Sequence, residues 1–126
     1  MLLKGASYRG MIPAKDIQTT RRFYEDVLGL SVHRESPAGI SYACGDGFVE
    51  LYPTQFAGTA KHTIGGWAVD DVRATMAELR ERGVTFEEYD FPGLKTVDGV
   101  AEFDGEQAAW FKDPEGNILG IARRFE

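Results

Sequence analysis

The chain has 126 residues, 43% of them hydrophobic, which suffices for one packed domain and is too short for two independent ones. Fourteen basic against twenty acidic side chains leave a net charge of −6 without a Lys/Arg cluster, so no nucleic-acid partner is expected and most of the acidity reads as solvated surface. The lone Cys44 sits in an apolar run and reads as a buried thiol without a disulfide partner; with no signal peptide and no membrane span in view, a cytoplasmic protein with no membrane partner is expected.

Residues 8–13 read as a strand, followed by Asp16, whose carboxylate suits the free amides of a first helical turn. The helix carries Ile17, Tyr24, Val27 and Leu28 on one face and closes at Gly29, a residue that adopts the left-handed conformation without strain. Strands are expected at about 31–35, 40–44 and 48–53, the last two joined by Gly45-Asp46-Gly47. The pattern then repeats: a strand at 63–69, a helix from Asp71 to Arg82 buried through Val72, Met76 and Leu79, and strands near 84–89, 107–112 and up to about 123. Asp113-Pro114-Glu115-Gly116-Asn117 makes the last turn, where proline presets φ and glycine takes a conformation that a β-carbon resists. The reading is one α+β domain over 1–126, with eight strands and two principal helices in two βαβββ modules at about 7–56 and 62–125. Val49, Leu51, Leu119 and Ile121 complete the expected core.

Two motifs make this pattern specific. Phe23-Tyr24-Glu25-Asp26-Val27-Leu28-Gly29-Leu30, after a strand and an Asp cap, and Trp110-Phe111-Lys112-Asp113-Pro114-Glu115-Gly116-Asn117, before a final strand, resemble the vicinal oxygen chelate superfamily of glyoxalase I, bleomycin-resistance proteins and extradiol dioxygenases. The resemblance implies a curved mixed sheet around a cleft, within a homodimer. It also implies up to four metal-ligand places, held here by Arg9, Glu50, Ile64 and Gly120, so that Glu50 is the remnant ligand. Arginine has no lone pair to offer and stays charged, and one carboxylate holds a divalent ion poorly, so no metal and no cofactor are expected. An unusual set drawn from Glu50, His62 and Glu102 or Glu106 is the weak alternative.

The resemblance also places Arg9 close to Glu50, either as an ion pair filling the vacated place or as a pair that orients a ligand, with both as candidate catalytic groups. If the pair is enclosed, breaking it is expected to cost on the order of 3 kcal/mol. Strand alternation adds Met11, Phe48 and Tyr52 to the cleft wall, with Ile64, Gly66 and Gly120 opposite. A glycine there leaves space for a ligand or a neighbouring backbone. His33 reads as surface, and Trp67 as core. Residues 89–99 form either a lid touching the ligand through Tyr89, Phe91 and Leu94 or a cap on the sheet edge. The expected function is metal-free binding of a small organic molecule in the cleft, as in the bleomycin-resistance branch; the alternative is a lyase, isomerase or dioxygenase that uses Glu50 with non-standard ligands.

Overall fold

The computed structural model describes residues 2–123; residues 124 and 125 of the second expected module lie outside the described residues. Both halves begin alike. β1 (Gly10–Ala14) leads to α1 (Ile17–Arg22), and β5 (Thr63–Val69) leads to α2 (Val72–Glu81). Each helix starts where an aspartate accepts a third-residue amide, Asp16 from Thr19 at 3.1 Å and Asp71 from Ala74 at 3.0 Å. The first helix is not uniform: Phe23–Val27 forms a π-turn before Gly29 closes it at φ 76°. The widened turn lets two adjacent aromatics reach the core, where Phe23 meets Phe111 with ring centres 6.2 Å apart and Tyr24 stacks on Tyr42 at the same separation.

The first module continues as β2 (Ser31–Ser36), β3 (Gly39–Cys44) and β4 (Gly47–Pro53), giving a four-stranded sheet in the order β1-β4-β3-β2. The second gives a four-stranded sheet in the order β5-β10-β9-β8, from β8 (Ala101–Phe103), β9 (Glu106–Lys112) and β10 (Ile118–Arg123). In each sheet the first and last strands of the module pair in parallel and the other pairs are antiparallel. This mixed α+β architecture is the expected one, although each module keeps its own sheet.

The strand expected at 84–89 is absent as such. Val84 and Phe86 do point inward, but the segment makes a single bridge, Phe86 to Phe111, on the far half of β9, while β8 pairs with the near half. Between the two, the chain leaves the sheet as a small hairpin of β6 (Asp90–Phe91) and β7 (Leu94–Lys95). One strand position of the second module is therefore shared by two segments with an insertion between them, and the described residues form ten strands rather than eight.

The helix-bearing faces of both sheets contribute to one core that holds Tyr24, Tyr42, Leu51, Val72, Met76, Phe111 and Leu119. Of the expected core residues, Ile17, Val27, Leu28 and Val49 are only half-buried against it, as is Cys44 in its own strand. The modules are joined by polar groups as well. Buried Asn117, in the turn before β10, donates to the carbonyl of Pro13 at 2.8 Å and accepts from the amide of Gly58 at 3.0 Å. Asp113 accepts from Asn117, from the amides of Glu115 and Asn117, and from the Tyr24 hydroxyl. Burial, followed by the nearby Asp113 carboxylate, pushes the Tyr24 phenol well above its usual range. Asn117→Ala would leave the Pro13 carbonyl and the Gly58 amide without partners. A loss of roughly 2–4 kcal/mol in unfolding free energy is expected, read from denaturant titration.

Glu115 ties the same turn to α1 by accepting from the amide of Asp16 at 2.9 Å and the hydroxyl of Thr20 at 2.7 Å. Burial works to raise its pKa, but these donors outweigh it and hold the carboxyl below its ordinary value of 4.5. Because folding lowers this pKa, the stability it contributes is fully present above the ordinary value and is lost as pH falls through the folded one. Glu115→Gln should therefore be less stable than wild type near about pH 7, with the gap closing towards about pH 3 in parallel urea titrations. A gap that does not change with pH would refute the assignment.

Candidate functional site

The faces of the sheets turned away from the shared core are open, and the two modules present different chemistry there. On the first sheet the strand register sets Met11, Glu50, Ser41 and Arg34 side by side in one row across all four strands. Tyr52, on the same face, flanks the row. Arg9, just before β1, reaches Glu50 through Nη1 at 2.8 Å. Ser41 donates to the same carboxylate oxygen, Oε1, at 3.1 Å. Together with His33, Ser36 and Gly39 these groups border a cavity of about 480 Å³. Gly39 is there of necessity: at φ 142° a β-carbon would lie 2.1 Å from the Leu51 carbonyl oxygen.

Phe48 shares this face beneath two other side chains, with the Arg9 guanidinium 4.2 Å from its ring centre and the His33 ring at 4.8 Å. His33 is exposed, as expected of a surface residue, and it also borders the cavity. A bulge between Val32 and Arg34 leaves it opposite no residue of β3, so it joins the cavity wall.

The second sheet's open face is built from small residues around an indole. Gly66, Ala68, Ala108, Gly120 and Ala122 surround Trp110, which borders a separate cavity of about 350 Å³. Neither glycine adds free volume. A β-carbon on Gly120 would meet the Trp110 indole at 3.2 Å, and one on Gly66 would come within 2.3 Å of the Gly120 carbonyl oxygen. The first position is taken by a ring and the second by a neighbouring backbone. Ile64, expected on this face, packs against the core instead, because the β5–β10 register shifts by one residue and takes it out of the alternation. Trp67 is half-buried and stacks on Phe111 as expected, but its indole N–H is buried without a partner.

The expected cleft residues thus fall on two faces of the chain, Arg9, Met11, Phe48, Glu50 and Tyr52 on one and Gly66 and Gly120 on the other. The 89–99 segment belongs with the second face: Tyr89 meets Trp110 edge-on at 5.6 Å, while Phe91 pairs with Leu94 in the hairpin and is exposed. None of the three borders the Arg9–Glu50 cavity. Among residues that sequence reasoning passed over, Ser41 was within reach of simple alternation along β3. Arg34 was not, because its placement depends on the bulge at His33.

The family model for the Glyoxalase/Bleomycin resistance protein/Dioxygenase superfamily matches residues 9–121. The chain belongs to this superfamily. No curated protein matches the sequence. Among solved structures, the bleomycin resistance determinant encoded on transposon Tn5 is similar at 17% identity and a TM-score of 0.72, over 95% of this chain and 98% of that one. TnmS3, an antibiotic binding protein from Streptomyces sp. CB03234, is similar at 21% identity and a TM-score of 0.68, over 99% and 100% of the two chains. Lactoylglutathione lyase from Agrobacterium tumefaciens is similar at 19% identity and a TM-score of 0.69, over 94% and 93%. At these identities the likeness shows the fold.

The superfamily's metal does not fit the residues present. A guanidinium nitrogen occupies the side of Glu50 where a cation would sit, and of the three other ligand places Arg9 offers no lone pair, Gly120 has no side chain and Ile64 is apolar and turned to the core. The alternative ligands are not gathered either. His62 lies outside β5 with Nδ1 2.9 Å from the Thr63 carbonyl, Glu102 pairs with Arg73 at 3.2 Å, and Glu106 is exposed at the start of β9. Among the described residues no group of three or more His, Cys, Asp or Glu side chains converges.

The Arg9–Glu50 pair does not meet the condition of enclosure. Its side chains are 41% and 26% exposed, so water screens the interaction and the 3 kcal/mol scale of a buried pair does not apply. A double-mutant cycle with Arg9→Met and Glu50→Ala should return a coupling of at most about 1 kcal/mol, measured by urea unfolding.

Proposed function

We propose that this chain binds a small organic molecule on the open faces of its sheets, without a catalytic metal. The observation that carries the reading is the hydrogen bond from Arg9 to Glu50 inside a cavity of about 480 Å³. In this reading the guanidinium stands beside the carboxylate that the resemblance assigns to a metal, and a walled space lies next to it. The likeness to an antibiotic binding protein supports this reading, because that name describes ligand binding, and the bleomycin resistance determinant is likewise named for an organic antibiotic. The likeness to a lactoylglutathione lyase is of the same order in fold, so the decision rests on the side chains.

The complete cleft belongs to a homodimer in this reading. One chain offers a charged wall at Arg9 and Glu50 and an apolar wall at Trp110, bordering different cavities, and a two-fold partner would set the charged wall of one copy against the apolar wall of the other. A cytoplasmic location belongs to the same proposal. Among the described residues no helix is long and apolar enough to cross a membrane.

Elemental analysis of protein purified without chelator is expected to find no stoichiometric divalent metal, and EDTA should leave the melting temperature unchanged. About one metal per chain, with stability lost on chelation, would favour the enzyme alternative instead. Sedimentation at micromolar concentration is expected to give a dimer, and a monomer alone would remove the composite cleft.

A further inference from the structure

We propose that the Arg34 end of the first cavity is an oxyanion subsite, so that the ligand is an organic anion whose carboxylate, phosphonate or sulfonate group is held by Arg34 and whose apolar body lies on Met11. This rests on the reading of that cavity as a ligand site and adds the class of molecule.

Three charged side chains, Arg9, Arg34 and Glu50, border the cavity, and two of them pair: Arg9 is spent on Glu50. Arg34 lies two strands further on in the same cross-sheet row, with its backbone about 10 Å from that of Glu50, and its guanidinium has no ion pair or hydrogen bond among the described residues. The wall therefore carries a net positive charge within a chain of net charge −6. An acidic protein that keeps a free guanidinium on the rim of its concave face repels cations at that point and attracts anions.

Hydrogen-bonding capacity has the same polarity. The Ser36 hydroxyl accepts from the Ala38 amide at 3.1 Å, which leaves its proton to donate. The Tyr52 hydroxyl has no partner among the described residues, and the His33 ring brings a further N–H. The Ser41 proton is already committed to Glu50. The cavity wall thus offers a planar guanidinium at Arg34 and several neutral donors, and the one carboxylate on its wall is occupied on Oε1 by both Arg9 and Ser41. Such a wall satisfies a ligand that brings acceptors, and leaves a ligand that brings donors unpaired. Met11, 52% exposed at the opposite end of the same row, supplies an apolar surface for the far end of a ligand that spans the cavity.

The position of Arg34 is set by the fold. The bulge at His33 shifts the register so that Arg34 lies opposite Ser41, on the cavity face; without it, the alternation along β2 would send Arg34 to the other side. Arg34 is exposed on an edge strand, so replacing it should leave folding intact.

The test uses four probes of similar shape, namely phenylacetate, phenylphosphonate, the neutral phenylacetamide and the cationic phenethylamine. They are titrated into wild type, Arg34→Gln and Arg34→Lys, with affinity read by calorimetry and location by the NMR shifts of His33 and Tyr52. We expect the two anions to bind wild type at least about tenfold more tightly than the amide, with affinity falling as salt is raised. Arg34→Gln should abolish that preference with an unchanged melting temperature and unchanged amide binding, and Arg34→Lys should keep part of it. The relative affinities of the two anions identify which oxyanion fits. If the amide or the amine binds in the cavity as tightly as the anions, or if Arg34→Gln binds the anions as wild type does, the oxyanion subsite is wrong while the cavity remains a ligand site. If none of the probes shifts the cavity resonances at millimolar concentration, the reading of the cavity as a ligand site falls, and the subsite with it.

Discussion

The rest of the structure depends on one buried polar constraint, the coupling of Asp113 and Asn117 to the first module. Two small sheets, each with a single helix, do not bury enough apolar surface separately and must share a core. Sharing by apolar contact alone would leave the sheets free to slide, since the hydrophobic effect has no direction. Directional bonds remove that freedom. Asn117 spends its amide on Pro13 of β1, on the Gly58 amide in the linker between modules and on Asp113, while Asp113 takes the Tyr24 hydroxyl from the first helix. A turn of the second module thereby fixes the first strand, the first helix and the linker in one geometry. Since the candidate cavity is built on β1 and its neighbours, the position of the Arg9–Glu50 pair follows from a turn in the other half of the chain.

This places the two family motifs in a physical relation that neither shows alone. The first supplies Phe23 and Tyr24 to the core and the second supplies Phe111, Asp113, Glu115 and Asn117, and in the folded chain the groups meet: rings on rings, a phenol on a carboxylate, and a glutamate on the first turn of α1. The motifs are parts of one interface. Such an interface says nothing about ligands, which explains how the same fold serves binding proteins and enzymes whose open faces differ.

Much of the fold was legible in the sequence, because its signals are local. Asp16 and Asp71 cap the two helices, Gly29 closes the first and alternation marks the strands, and in each case the residue acts within a few positions of itself. What escaped was set by pairing. The segment with Val84 and Phe86 alternates as a strand should, yet an insertion separates it from β8, and only the β9 partner reveals which part completes the ladder. The same holds for the site. Arg9 and Glu50 follow from the resemblance and do meet, and Met11, Phe48 and Tyr52 follow from alternation. Ile64 was misplaced because it lies at a one-residue register shift, where the period of two that carries the inference breaks down. The glycines failed as indicators of volume for another reason: a missing side chain marks a close approach without saying by what, and here it is Trp110 over Gly120 and the Gly120 carbonyl beside Gly66.

Exchanging an ion for a guanidinium alters what the first face can do. A divalent cation draws its ligands from several directions and accepts lone pairs from substrate oxygens, which is how a metal site polarises them. A guanidinium is planar, offers protons in place of empty coordination positions, and is anchored by its own chain. Arg9 therefore neutralises Glu50 without creating a Lewis acid, and its place over the Phe48 ring restrains it further. Neutralisation at that point leaves the remaining charge of the wall at its other end, on Arg34, where the bulge in β2 has turned it inward. In the proposed metal-free reading, the unpaired positive charge of the face lies on the edge strand at Arg34, two strands away from the carboxylate that the resemblance assigns to an ion, and the proposed subsite lies with it.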